Sequence, residues 1–197
     1  MWTIDHLPVA SPGRGAGRHV VGRGLQRSAR SVDQAIDYLR ARPSAGGFAY
    51  SIGDRAGRVV NVEAAAGRHA FVEPGPAEPG PAEPGPAEPG PAEVGPAEPG
   101  PGSGPLLWHT NHGRYVPGAE PSGPGTSVSR GKTLDALTVP AQDPEPSWFL
   151  RVLTSPPPDG VRADPGPALR AATLCTLVAD LTAGQAVIAV RDDRPVA

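Results

Sequence analysis

The fold is decided by the stretch FAYSIGDRAGRVVNVE, residues 48–63, because it has the pattern of a β-hairpin. Two runs with β-branched or aromatic residues, 48–52 and 58–63, flank a turn rich in Gly and Asp at 53–57. Such runs on either side of a short turn are typical of paired strands. Residues 68–72 are predicted to add a third strand. The sequence therefore predicts an antiparallel sheet, because strands joined by tight turns pair in that way.

A helix is predicted just before the hairpin, beginning after Ser31 and stopping at Pro43. Ser31 is a favoured N-cap residue, and Asp33 lies in the first turn, where the helix dipole favours a negative charge. Apolar residues follow at helical spacing, at Val32, Ala35, Ile36 and Leu39. Upstream, residues 1–24 are rich in Gly and Arg and are predicted to form a loop that includes a short strand at 19–21.

The chain after residue 105 is predicted to supply further helices and a second hairpin. The elements in order are a strand at 106–109, a short helix at 132–137, a helix at 148–153, and strands at 171–181 and 185–190. Ser147 is the candidate cap of the second of these helices, and the prolines at 156–158 break it. Helices covering antiparallel hairpins in both parts of the chain define an α+β fold.

A repeat of Glu-Pro-Gly-Pro-Ala separates the two parts, beginning at Glu73, with Val94 in place of one proline. Each unit contains residues that disfavour helices and central strands, so a disordered, extended, partly polyproline-like spacer is predicted. Collagen is excluded, since it needs Gly at every third residue. The predicted organisation is one domain in two parts, 1–72 and 106–197, interrupted by an insertion at 73–105. Such an insertion costs little, because loop-closure entropy grows slowly with length.

Composition and charge argue against several classes of function. The net charge of −2 includes six glutamates of the repeat, without which the rest is about +4, and the Arg residues are scattered, which does not favour nucleic-acid binding. No apolar run approaches the roughly 20 residues of a membrane span, and the N-terminus lacks a secretory signal pattern. The single cysteine, Cys175, excludes an intramolecular disulfide. A cytoplasmic protein without nucleic-acid or membrane partners is expected.

The stretch LLWHTNH at 106–112 is the strongest candidate for a functional site. An apolar run of this kind can end a buried strand and present polar groups at its tip. The amide of Asn111 can donate a hydrogen bond to a developing oxyanion, whereas the alternative is ordinary turn chemistry. His109 and His112 raise the question of a metal, but no Cys or Glu pattern completes a ligand set. No metal and no cofactor are predicted.

Two other side chains each have two interpretations. Cys175 lies in an apolar run with nothing basic near it in sequence, which is typical of a small buried hydrophobic residue. As a nucleophile it would instead be alkylated rapidly by iodoacetamide near neutral pH. Arg130 can hold a carboxylate in a bidentate pair, or it can be an exposed loop residue. No nucleophile elbow, phosphate-binding loop or paired carboxylates accompany them.

Taken in order, these signals resemble the acyl-coenzyme A:6-aminopenicillanic-acid acyltransferase family, a cysteine branch of the N-terminal nucleophile hydrolases. The matching segments are RHVVGR at 18–23, SVDQAI at 31–36, VNVE at 60–63, HTNH at 109–112, SR at 129–130 and the closing hairpin at 173–181. The HTNH segment is the most specific of them. Together they span most of the chain except the repeat.

The resemblance implies a four-layer αββα sandwich. It also implies an N-terminal Cys, freed by autocleavage, that attacks an amide or acyl thioester bond of a small-molecule substrate. Asn111 matches the family's Asn that helps to bind the oxyanion. Ser129 and Arg130 resemble the family's Ser-Arg pair near the nucleophile, where the Arg supports charge and geometry. Glu63 matches a recurrent Glu at a strand end, for which the resemblance implies no role.

The chain departs from the family pattern because no Cys precedes the segment matched at 18–23. The chain is therefore expected to be the C-terminal portion of such an enzyme, an incomplete sandwich that needs a further N-terminal polypeptide and is inactive alone. The leading hypothesis is an acyltransferase or amide hydrolase acting through a Cys that this chain lacks. The alternative is a non-catalytic binding module, or a decayed gene product of the same fold. A thiol enzyme that uses Cys175 is the third possibility.

Overall fold

The computed structural model describes residues 1–10, 13–65, 67–74, 106–117, 119, 126–140, 144–164 and 172–191. The fold is α+β, as predicted, and the described residues form antiparallel sheets and four helices. The chain divides into two compact units, Met1–Ser122 and Gly123–Ala197. The repeat from residue 75 to 105 lies outside the described residues, so the predicted disordered spacer stays a prediction.

The first unit is built on a four-stranded antiparallel sheet with the strand order β1-β2-β3-β4. Its strands are β1 (Trp2–Leu7), β2 (Gly47–Gly53), β3 (Val59–Ala65) and β4 (Arg68–Val72). The predicted hairpin and the third strand are therefore confirmed. The turn between β2 and β3 is closed by Asp54, whose carboxylate accepts hydrogen bonds from the backbone N–H groups of Ala56 and Arg58. Gly57 there has a φ of 86°, which favours glycine.

Two helices pack against one face of this sheet, namely α1 (Arg18–Ser28) and α2 (Val32–Arg40). The prediction of α2 from its cap is confirmed, because Ser31 Oγ accepts a hydrogen bond from the N–H of Gln34 at 3.3 Å. The predicted apolar stripe of α2 is buried against aromatic and β-branched residues of the sheet, which are Phe48, Tyr50, Ile52, Val60, Val62 and Phe71. This layer is the main hydrophobic core of the unit.

The prediction of loop structure over residues 1–24 is wrong, because the segment contains β1 and most of α1. The Gly and Arg residues that suggested a loop begin only at residue 13, and β1 pairs along its length with β2. The short strand predicted at 19–21 is helical, since Val21 and Leu25, four residues apart, are both buried in the core. Tertiary packing therefore overrides the poor helix propensity of the two glycines in α1.

Those helical glycines permit a close approach, which leads to a prediction for Gly24→Ala. A Cβ at Gly24 would lie 1.7 Å from the hydroxyl of Tyr38. Alanine favours an exposed helix interior by about 1 kcal/mol over glycine, but the half-buried Tyr38 side chain must move to admit the Cβ, so the free energy of unfolding should not rise and should fall by up to about 1 kcal/mol. Urea denaturation measures it, with exposed Gln26→Ala as the control that should not destabilise. A Gly24→Ala protein more stable than the parent would contradict the close packing of α1 on α2.

The other face of the sheet is covered by a segment without regular structure, residues 106–119 in the described ranges. A second apolar cluster joins Val116 and Ala119 to Leu7, Ala49, Ala65 and Ala70 of the strands. The strand predicted at 106–109 is wrong. Because this segment lies across a sheet face, its backbone is held by side chains of β3, and Asn61 Nδ2 donates to the carbonyl of Trp108 at 3.0 Å.

The second unit contains α3 (Thr126–Asp135), α4 (Pro146–Thr154), β5 (Cys175–Asp180) and β6 (Gln185–Val190). The second hairpin and the helix at 148–153 are confirmed, and β5 begins at Cys175. The helix predicted at 132–137 instead begins at Thr126 and ends at Asp135. The N-cap of α4 is Glu145, not Ser147, because Pro146 occupies the first turn, where its missing N–H is not needed.

The expectation that Cys175 is buried is wrong, because its side chain is exposed. Helix α4 packs against the hairpin, where Thr176 is buried. The alternation of a strand places Cys175 on the opposite face, where Leu177, Ile188 and Val190 are also exposed. None of the helices in the described part of the chain has the length and apolar character to cross a membrane.

Candidate active site

The candidate site is organised by one carboxylate, Glu63 of β3, whose side chain is fully buried. Its Oε1 lies 2.7 Å from His109 Nε2 and accepts a hydrogen bond from the N–H of Arg114 at 2.7 Å. Its Oε2 accepts from the N–H groups of Tyr115 at 3.0 Å and Val116 at 2.8 Å. Four hydrogen bonds therefore satisfy a buried charge that would be costly to leave unpaired.

The surroundings of Glu63 favour its ionised form. Burial alone would raise the pKa of this carboxyl, but the hydrogen bonds from His109 and from three backbone N–H groups outweigh burial and lower the pKa below its ordinary value. Charge-assisted hydrogen bonds of this kind are among the stronger ones in proteins. Glu63 is thus a buried anion onto which the covering segment is fastened.

His109 faces acceptors on both sides of its ring. Nε2 contacts Glu63, while Nδ1 contacts the carbonyl oxygen of Thr110 and lies 4.0 Å from Asp5 Oδ2. The second histidine of the segment, His112, contacts Thr110 Oγ1 through Nδ1 at 2.9 Å. No group of three or more His, Cys, Asp or Glu side chains in the described ranges is arranged to hold a metal ion.

Asn111 lies at the exposed tip of this segment, between His109 and the backbone groups that also bind Glu63. The return of the chain is tight, because Gly113 donates its N–H to the carbonyl of Ala119 at 2.7 Å. A Cβ at position 113 would lie 2.6 Å from that carbonyl oxygen, so glycine is needed for the approach. The side-chain amide of Asn111 is therefore carried on a loop, residues 108–116, whose backbone path is fixed by these contacts. We call it the Asn111 loop.

Trp108 forms the base of the loop. Its side chain is buried, and the guanidinium of Arg114 lies 3.7 Å from the centre of its ring. Such a cation–π contact adds to the hydrogen bond that Asn61 donates to the Trp108 carbonyl. The two ends of the loop are thus connected to each other as well as to β3.

Ser129 and Arg130 lie in the second unit, on successive positions of α3. Ser129 Oγ donates to the carbonyl of Thr126 at 2.9 Å, a bond within the helix. Arg130 is helical and half-buried, so its interpretation as an exposed loop residue is wrong. Adjacent helix positions are rotated by about 100°, so these two side chains leave the helix in different directions. Asn111, the third site residue predicted from the sequence, belongs to the first unit instead.

The contact between Glu63 and His109 was not predicted from the sequence, although one feature of the sequence indicates that Glu63 has partners. Glu63 interrupts a strand, Val59–Ala65, in which every residue after Val59 is buried, on both faces of the sheet. An acidic residue there must have partners, because buried charges are rarely left unpaired. The partners are more than 45 residues away in the chain, beyond any local pattern.

The chain is similar to a known protein family over most of its length. The family described as acyl-coenzyme A:6-aminopenicillanic acid acyl-transferase matches residues 3–194. The chain belongs to this family, which confirms the resemblance found in its sequence. No curated protein and no solved structure gives a significant match.

Proposed function

We propose that this chain contributes the oxyanion-binding part of an enzyme that transfers or hydrolyses acyl groups held in amide or thioester bonds of small molecules. Membership of the acyltransferase family carries this proposal. The exposed amide of Asn111, on a loop fastened at both ends to a buried carboxylate, supports it. Oxyanion sites require such donors to be held in place before the reaction begins.

The proposed reaction follows nucleophilic acyl transfer. A cysteine thiolate attacks the carbonyl carbon, a C–S bond forms, and the carbonyl π electrons move to the oxygen. The Asn111 NH2 donates a hydrogen bond to that oxyanion. When the C=O bond re-forms, the bond to the amine or thiol breaks, and the leaving group takes up a proton. Water or an acceptor amine then removes the acyl group from sulfur.

The nucleophile in this proposal is an N-terminal cysteine on polypeptide outside these 197 residues. Cys175, the single cysteine of the sequence, begins β5 in the second unit and is assigned no role in the reaction. By family resemblance, Ser129 and Arg130 are proposed to be the family's Ser-Arg pair, in which the Arg supports charge and geometry. The αββα sandwich and a cytoplasmic location belong to the same proposal.

The test is to co-express this chain with polypeptide encoded immediately upstream of Met1 that carries a Gly-Cys junction. Cleavage of small acyl thioesters and amides by the purified complex, with none by the chain alone, is the expected result. A complex that forms without cleaving either substrate would favour the non-catalytic binding module. An upstream sequence that encodes no such junction would remove the proposed nucleophile.

A further inference from the structure

A single carboxylate fastens the Asn111 loop at both of its ends. Glu63 Oε1 contacts Nε2 of His109, two residues before Asn111. The same oxygen accepts a hydrogen bond from the N–H of Arg114, three residues after Asn111. Glu63 Oε2 adds the N–H groups of Tyr115 and Val116. The loop therefore cannot move away from β3 at either end without breaking a hydrogen bond to the same buried side chain.

His109 contacts acceptor groups through both ring nitrogens. Nδ1 contacts the Thr110 carbonyl oxygen, and Nε2 lies 2.7 Å from Glu63 Oε1. Because Glu63 accepts three backbone N–H groups and its surroundings favour the ionised form, we assign Nε2 as the donor to Glu63. Asp5 Oδ2 lies 4.0 Å from Nδ1.

We propose that the hydrogen-bonded pair Glu63–His109 is a positioning unit that holds the Asn111 amide in place for acyl transfer. The inference rests on the proposed function for its catalytic purpose, and on the described contacts for its structural part. Neither residue of the pair touches substrate, because both side chains are buried beneath the loop. Their action passes through the backbone of the loop to Asn111. Glutamine at position 63 could not replace the glutamate, because one amide oxygen cannot accept from four donors.

The structural part is tested on the full chain, labelled with ¹⁵N, by nuclear magnetic resonance. The His109 Nε2 of the parent protein should show a directly bonded proton. In Glu63→Gln, amide exchange at Arg114, Tyr115 and Val116 should accelerate by about 10- to 100-fold, because their acceptor oxygens are lost in part. The backbone order parameter at Asn111 should fall toward the flexible range, below about 0.6. Glu145→Gln, an exposed matched control, should change none of these values.

Two His109 variants keep the test decisive if Glu63→Gln does not fold. His109→Gln retains an N–H donor for Glu63 and should preserve the order at Asn111, whereas His109→Leu should lose it and leave the amides of 114–116 protected. A His109 Nε2 without a bonded proton in the parent protein would overturn the proposal. So would an Asn111 that stays rigid in both Glu63→Gln and His109→Leu.

The catalytic part is tested in the active complex described above. Glu63→Gln should lower kcat with little change in KM, and it should cause no further loss in an Asn111→Ala background. If the two substitutions instead lower kcat by independent factors, the positioning role is overturned, whereas the proposed function is not. A rate unaffected by Asn111→Ala would overturn the proposed function and, with it, the catalytic purpose of the pair. The loop measurements distinguish these two failures, because they do not depend on activity.

Discussion

Replacing Glu63 by alanine is expected to lower the free energy of unfolding by about 3–5 kcal/mol, because it removes a buried anion that takes part in four hydrogen bonds. The substitution leaves His109 Nε2 without its acceptor and removes the acceptor of three backbone N–H groups. It also leaves space beside Ala49 and Ala70, the cross-strand neighbours of Glu63.

Urea denaturation of the full chain measures this loss. The matched control is Glu145→Ala, because Glu145 is exposed and makes no capping hydrogen bond at the start of α4. The control should stay within about 0.5 kcal/mol of the parent. A Glu63→Ala protein that loses less than about 1 kcal/mol would show that the loop does not depend on this carboxylate.

The same contribution should appear in the pH dependence of stability. The pKa of Glu63 is lower in the folded protein than in the unfolded chain, so its contribution is complete above the unfolded pKa and is lost as the pH falls through the folded pKa. The stability of the parent should therefore decline more steeply in acid than that of Glu63→Ala. Parallel declines in the two proteins would contradict an ionised Glu63 in the native state.

Replacing Asn111 by alanine is expected to lower kcat of the active complex by about 100- to 1,000-fold, the usual effect of removing one oxyanion-hole donor. Because the hydrogen bond would strengthen as charge develops on the carbonyl oxygen, the loss should appear in kcat more than in KM. The exposed position of Asn111 makes a large change in stability unexpected. Steady-state kinetics with an acyl thioester measures the effect.

Gln185→Ala is the matched control for Asn111, since it removes an exposed side-chain amide from the start of β6. It should leave the rate unchanged. An Asn111→Ala complex with an unchanged rate would remove Asn111 from the mechanism. A loss of rate that is matched by a loss of folded protein would assign Asn111 a structural role instead.

The parts of the fold that follow from local patterns were predictable from sequence. The hairpin at 48–63 and helix α2 have turn and cap residues adjacent to the segments they define, so short windows suffice. The helix α1 did not follow from such a window, because Gly22 and Gly24 lower its propensity and its stability comes from Val21 and Leu25 in the core. Long-range packing decided that element.

In the candidate site, too, the residues with a local sequence signal could be predicted and those with distant partners could not. Asn111 could be found because the HTNH segment is compact in sequence and its amide has a chemical use. Glu63 could be noticed but not given a role, since its four donors come from residues 46 to 53 positions away. The segment at 106–109 was predicted as a strand from its apolar run, yet Trp108 is buried by lying on a sheet face. Burial alone does not specify which backbone groups a segment pairs with.

The most direct test of acyl transfer is the mass of the protein during turnover. The co-expressed complex is mixed with a small acyl thioester, quenched in acid, and the acylated residue is located by peptide mass spectrometry. The account predicts an increase of one acyl group on the N-terminal cysteine of the upstream polypeptide, which decays as product forms, and a much slower acylation in Asn111→Ala. Acylation at Cys175, or no acyl-enzyme while the thioester is consumed, would contradict it.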